Sequence, residues 1–438
     1  ILKEEQLIET SRVLSKHNCY TPITNGYGLT ECCGVVGINP DRGRGKNEPV
    51  WFPLPDNEVA VFKIVNNNNM GLLFDRAIND IQQRRNKILK GEINCIPSRF
   101  TRFSNDFIGI EQACYTIITS GTKGGKTQFA SFAFLYTAIM FAYEHRSICK
   151  IKIFYYNLEE EDTKIMDRFI SYILYEMSGH KIRMSVRDLR STKQDKPLPK
   201  DVLELIQSER YKDIISFFES CIVFSESRNP TGIYNECKEY AKNNGKVNTR
   251  SQVIKDKFDG TEKTVNVFES YEPNDPNEYR IVFVDHVSLL SEERGMTKKQ
   301  TIDKLSEYCV ILRNRYKFSP VIIQQQSVET EGLDAINSNR MRPSISNLAD
   351  SKYTARDANL IIGLFSPFKF ELTEYKKYDI TKFRNHIRFA ELLATRDGDV
   401  GGMCPLYFDG AVNYFNEMPL PSETDKLAAI TNYIRSLE

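Results

Sequence analysis

Residues Ser120 to Thr127 read Ser-Gly-Thr-Lys-Gly-Gly-Lys-Thr, between the apolar run Tyr115 to Thr119 and the helical-looking stretch Gln128 to His145. That order constrains the fold more than any other feature of the chain. A strand brings the backbone to a sharp turn, and glycines let N–H groups close around phosphate oxygens. The following helix then points its positive end at the anion. The usual pattern opens with glycine, whereas this one opens with Ser120 and has Gly121 one place later. The expected nucleotide-contacting residues are Ser120, Gly121, Thr122, Lys123, Gly124, Gly125, Lys126, Thr127 and Gln128. Among them Lys126 reaches the outer phosphates and Thr127 holds Mg²⁺.

Beyond the loop, the chain has the pattern of an α/β domain. Apolar runs at Lys152–Tyr156, Cys221–Phe224, Arg280–Val284, Val321–Gln325, Leu360–Phe365, Ile387–Thr395 and Leu406–Phe408 alternate with helical segments. Runs rich in Ile, Val and Phe that do not alternate with polar residues predict strands buried on both faces, hence a mostly parallel sheet flanked by helices. Near the end, Asp397-Gly398 predicts a hairpin between two strands. The polar stretch 243–277, with its turn signals, predicts an inserted surface hairpin.

The tract Asn66 to Asn69 marks a boundary, which leaves residues 1–69 as an N-terminal extension without an assigned role. From Leu72 the spacing of Leu73, Ala77, Ile78 and Ile81 predicts an amphipathic helix within 70–93. The main domain then runs over 94–418, and 419–438 form a C-terminal tail.

With 41% hydrophobic and 27% charged residues the chain reads as a soluble globular protein, and no apolar run is long enough to span a bilayer. The cytoplasm is the default expectation. A net charge of +1 argues against a broad basic face, so a nucleic acid would need a local patch or backbone amides. Ten scattered cysteines fit reduced thiols. His17, Cys19, Cys32 and Cys33 form the one group with metal-ligand chemistry, but adjacent cysteines without a Cys-x-x-Cys favour ordinary thiols over zinc.

Four further positions carry candidate chemistry. Asp285 ends an apolar strand, where a carboxylate can hold Mg²⁺ beside the Ser/Thr of a phosphate loop; the plainer alternative is a loop cap. Glu159 stands at the end of Lys152 to Leu158, where it could orient and deprotonate water, or simply favour a helix N-terminus. Gln326 closes another strand and could sense the γ-phosphate or be a satisfied core amide. Arg396 precedes the Asp397-Gly398 turn; it could be a solvated hairpin residue or, if subunits form a ring, cross into a neighbour's site as an arginine finger.

With these stations in order, the chain resembles the RecA-type ATPase core of the DnaB-like replicative helicases, from about Leu72 to Phe415. The likeness is carried by Ile96 to Gly109, Asn157-Leu-Glu159, Phe283-Val-Asp285, Val321 to Gln326, Arg342 to Asp350, Asp357 to Ile362 and Arg396-Asp-Gly398. The family usually has a lysine two residues before the finger arginine, and this chain has Ala394 there. Its first 70 residues do not resemble the family's primase-binding domain.

The resemblance implies a RecA-like P-loop NTPase core and a linker helix from Leu72. It implies catalytic roles for Lys126, Glu159, Gln326 and Arg396, and Mg²⁺ bound by Thr127 and Asp285. It also implies a hexameric ring around single-stranded DNA, contacted through Arg340 and Arg342, with a primase or loader as further partner. The expected function is ATP-dependent unwinding during DNA replication, in a phage and hence in the host cytoplasm. The alternatives are a RecA/RadA-type recombinase and a non-catalytic ATP-binding regulator.

Overall fold

The computed structural model describes strands 23–29 and 34–40 and residues 69–437, apart from 106, 256–261, most of 328–340, 397 and 399. The chain divides into two compact units, Ile1–Lys90 and Gly91–Glu438. In the first, strands Ile23–Leu29 and Gly34–Pro40 pair antiparallel, and Asn69–Leu89 is an α-helix carrying an Arg84 to Asp80 ion pair one turn apart. Ala77 and Ile81 of this helix are exposed and Ile78 is half-buried. The group His17, Cys19, Cys32 and Cys33 lies outside the described residues.

The second unit is built on a nine-stranded sheet. Its strands in chain order are β1 (Thr116–Ser120), β2 (Lys150–Asn157), β3 (Ile222–Phe224), β4 (Glu278–Asp285), β5 (Phe318–Gln325), β6 (Leu360–Phe365), β7 (Ile387–Thr395), β8 (Met403–Asp409) and β9 (Tyr414–Glu417). Their order across the sheet is β9-β8-β7-β6-β1-β5-β4-β2-β3. The six strands from β6 to β3 pair in parallel, and β7, β8 and β9 extend the β6 side antiparallel.

The apolar runs have a simple cause. In β4, Ile281 and Phe283 join one core while Val282 and Val284 join the other, because successive side chains point to opposite faces. Both faces are covered, so neither parity is predominantly polar. One layer contains the helices following the phosphate loop, Asp162–Met177 and Glu209–Cys221. The other contains Pro230–Asn243 and Lys298–Tyr316. The last helix starts on a capping box between Thr297 and Gln300.

Strands Gly245–Lys255 and Glu262–Pro273 form an antiparallel hairpin inserted before β4. Its foot is held where Tyr271 OH donates to the Ala241 carbonyl and the buried Arg280 pairs with Glu278. The seven described cysteines are all free thiols. Among the described residues no helix is long and apolar enough to cross a membrane.

Candidate functional site

Parallel pairing puts the carboxyl ends of β1, β2, β4 and β5 along one edge of the sheet. Ser120 is level with Gln325, and Asp285 with Asn157. Open α/β sheets leave a crevice at such an edge. The phosphate loop opens from the buried Ser120, whose hydroxyl donates to the Gly121 carbonyl at 2.8 Å. Its turn closes with Gly124 N–H on the Gly121 carbonyl at 3.2 Å.

Two glycines are needed by that geometry. A Cβ on Gly124 would come within 2.5 Å of Ser120 Oγ, and Gly125 has φ +94°, in the left-handed region. Gly125 is the N-cap of the helix Lys126–Ser131, so the loop delivers the helix N-terminus to the crevice. Lys369 and Arg388 secure the loop by donating to the carbonyls of Thr122 (2.6 Å) and Gly124 (2.9 Å), the first exposed and the second buried.

Thr127 Oγ1 donates to Asp285 Oδ1 at 3.2 Å, and Tyr155 OH lies 3.5 Å from Asp285 Oδ2. Asp285 is buried. That burial, and then the negative charge of Glu159, push its carboxyl up to about 7, against the opposing pull of the Thr127 hydroxyl and the Lys126 ammonium. Glu159 itself is exposed, just past β2, whereas its neighbour Glu160 is tied to Arg168 at 2.5 Å. A buried carboxylate and a hydroxyl converging beside a phosphate loop are the hard oxygen donors that suit Mg²⁺. Lys126, Thr127, Asp285 and Glu159 thus share one crevice.

Other expected site residues are placed differently. Gln326 is buried, donating to Thr119 Oγ1 at 2.8 Å and accepting from the Ser344 N–H at 3.2 Å, so its amide is already occupied. Alternation along the strand turns Gln325 the other way, to 3.4 Å from His286 Nε2. His286 Nδ1 is buried without a hydrogen-bond partner, and burial together with the Lys126 charge pulls its pKa down. Gln128 is turned from the loop and donates to the Gly410 carbonyl and Asn413 Oδ1 at 3.0 and 3.1 Å.

Arg340 lies outside the described residues. Arg342 is no free cation, because Glu391 pairs with it at 2.7 Å and the Tyr375 ring lies 5.9 Å from its guanidinium. Arg396 follows Thr395, which is level with Leu360, while the loop's Ser120 is level with Leu364. It is therefore at the far end of the sheet, roughly 13 Å of strand from its own loop. There it donates to the carbonyls of Ala358 (3.0 Å) and Arg356 (2.6 Å).

Sequence reasoning passed over Gln325, His286 and Arg388. The available signals were a histidine directly after the strand-end aspartate and an arginine inside an apolar strand.

No family model and no curated protein matches the sequence. Among solved structures, the chain is similar to the ATPase domain of G40P, with a TM-score of 0.55 and 16% identity over 79% of this chain and 98% of that one. It is also similar to a DnaB-like replicative helicase described with its interactions with primase, with a TM-score of 0.53 and 15% identity over 80% of this chain and 74% of that one. The chain therefore has a RecA-like fold, shared with these two structures.

Proposed function

We propose that this RecA-like chain is the motor subunit of a ring-forming, ATP-dependent DNA helicase of the DnaB-like kind, which translocates on single-stranded DNA to unwind duplex during replication. The observation that carries this reading is the Thr127 to Asp285 contact at the mouth of the phosphate loop, with Lys126 and Glu159 beside it. The likeness in fold to a replicative helicase and to the ATPase domain of G40P supports the choice of motor.

In this reading the loop amides and the Lys126 ammonium hold the triphosphate and counter the charge that develops on it during transfer. Thr127 Oγ1 and Asp285 are the groups that would hold Mg²⁺, which would supply positive charge to offset that of the phosphates. Glu159, exposed at the crevice, accepts a proton from the attacking water. Gln325 and His286 line the β4 to β5 side and are better placed than Gln326 to respond to the outermost phosphate.

Arg396 cannot serve its own loop from the far end of the sheet. Its catalytic role would be exerted in the neighbouring subunit of a ring, expected to be hexameric, after it exchanges its carbonyl partners for phosphate. With Arg342 paired to Glu391, DNA contact falls to the rest of the segment after Gln326 and to repetition of a small charge around the ring. A primase or loader would be a further partner.

The test is unwinding of a forked duplex, with ATP turnover measured in the presence and absence of single-stranded DNA. The wild type should unwind and be stimulated by DNA, and Lys126→Ala should do neither. Equal unwinding by the two proteins would sink the assignment.

A further inference from the structure

Arg388 is 2% exposed at the start of an apolar strand, among the largest fully buried side chains of the described residues. Its donors all go to neutral oxygens. Nε donates to the Gly124 carbonyl at 2.9 Å, Nη1 to the carbonyls of Asn385 and Ile387 at 2.8 Å each, and Nη2 to Asn385 Oδ1 at 2.8 Å. The Phe408 ring lies 4.5 Å from the guanidinium carbon. No carboxylate among the described residues forms an ion pair with it, and burial alone pulls its pKa down to about 10.

An isolated buried cation is costly to keep in a fold, and here it touches the back of the phosphate loop. By accepting from Arg388, the Gly124 carbonyl is fixed towards the sheet. In a trans peptide the N–H points opposite to the C=O, so the N–H of Gly125 is turned away from Arg388, to the outer side of the loop.

We infer that Arg388 is a positioning residue for the phosphate loop, fixing the Gly124–Gly125 peptide for anion binding and carrying a charge that is balanced only when a nucleoside triphosphate occupies the other side. The inference rests on the proposal that the loop binds nucleotide. It goes further in making phosphate number, rather than the base or ribose, what Arg388 discriminates.

The experiment is equilibrium binding of fluorescent ATP, ADP and AMP to the full chain as wild type, Arg388→Lys, Arg388→Met and Lys126→Ala, with thermal melting of each. Arg388→Met should weaken ATP by about tenfold or more, ADP by less and AMP hardly at all, and Arg388→Lys should recover much of the ATP loss. A merely structural arginine predicts losses that are equal for the three ligands, or none, and either result overturns the inference. If Arg388→Met does not melt cooperatively, Asn385→Ala decides. It removes one exposed acceptor of the guanidinium and keeps the charge, so a graded loss of about twofold supports the inference and no loss overturns it. Wild type and Lys126→Ala binding ATP equally would instead remove the nucleotide reading, and the inference with it.

Discussion

Thr127 Oγ1 and Asp285 Oδ1, 158 positions apart in sequence, meet at 3.2 Å. Two parallel pairings produce this contact: β1 with β5, and β5 with β4. Changing Asp285→Asn keeps the shape and a hydrogen-bond partner for Thr127 but removes the charge that would hold a divalent cation. ATP turnover is expected to fall at least about a hundredfold, with metal-free nucleotide binding retained. A steady-state ATPase assay beside a binding titration in EDTA separates the two, and unchanged turnover would exclude Asp285 from the chemistry.

Glu159 is exposed and makes no packing contribution that its removal could forfeit. Glu159→Gln should therefore melt like the wild type, bind ATP with similar affinity and lose about 10²- to 10⁴-fold in kcat, the range a general base supplies. A fall in affinity with kcat preserved would assign Glu159 to binding instead.

Arg396 stands at the opposite end of the sheet from its own phosphate loop. If it acts across a subunit boundary, Lys126→Ala and Arg396→Ala proteins, each inactive alone, should regain part of the ATPase activity when mixed. Their mixed interfaces include some that pair an intact loop with an intact arginine. Mixtures that stay as inactive as the separate proteins would argue that Arg396 only braces the carbonyls of Arg356 and Ala358.

Glu417 accepts from the N–H groups of Arg102 and Phe103, at 2.8 and 3.3 Å, and from Thr101 Oγ1 at 3.0 Å. Burial works to raise its pKa, but these hydrogen bonds together hold it below the ordinary glutamate value of 4.5. A depressed carboxyl stabilises the fold fully above that value and loses the contribution as pH falls through the folded-state pKa. Glu417→Gln should cost about 1–2 kcal/mol at pH 7 and flatten the acid side of the stability curve. Denaturant melts between pH 3 and 7 check this, and parallel acid limbs for the two proteins would contradict it.

The parts legible in the sequence are those whose signal is local. The phosphate loop could be read from eight consecutive residues and their flanks, and Asp285 from the end of one apolar run. The pairing of Arg342 with Glu391 joins residues 49 apart, and no feature near Arg342 announces it. The choice between Gln325 and Gln326 depends on strand parity. A single step reverses which face a side chain occupies, and three glutamines in a row leave no apolar mark to set it. Arg388 stayed hidden because a cation in an apolar strand is ordinarily read as an exposed residue, whereas here it is buried between the carbonyl of the distant Gly124 and oxygens of its own neighbours Asn385 and Ile387.

The helix that leaves the phosphate loop is not uniform, since Lys126–Ser131 and Thr137–Glu144 are joined by a π-helical turn at Phe132–Tyr136. Such a turn holds one residue more than the α-helical course requires, with Phe132, Phe134, Leu135 and Tyr136 all buried within it. Removing that one residue would restore an even winding and leave the residues on either side on their present faces. The two halves of this helix are thus one residue out of step in sequence, and a helical wheel drawn at about 100° per residue through the whole stretch assigns one half to the wrong face.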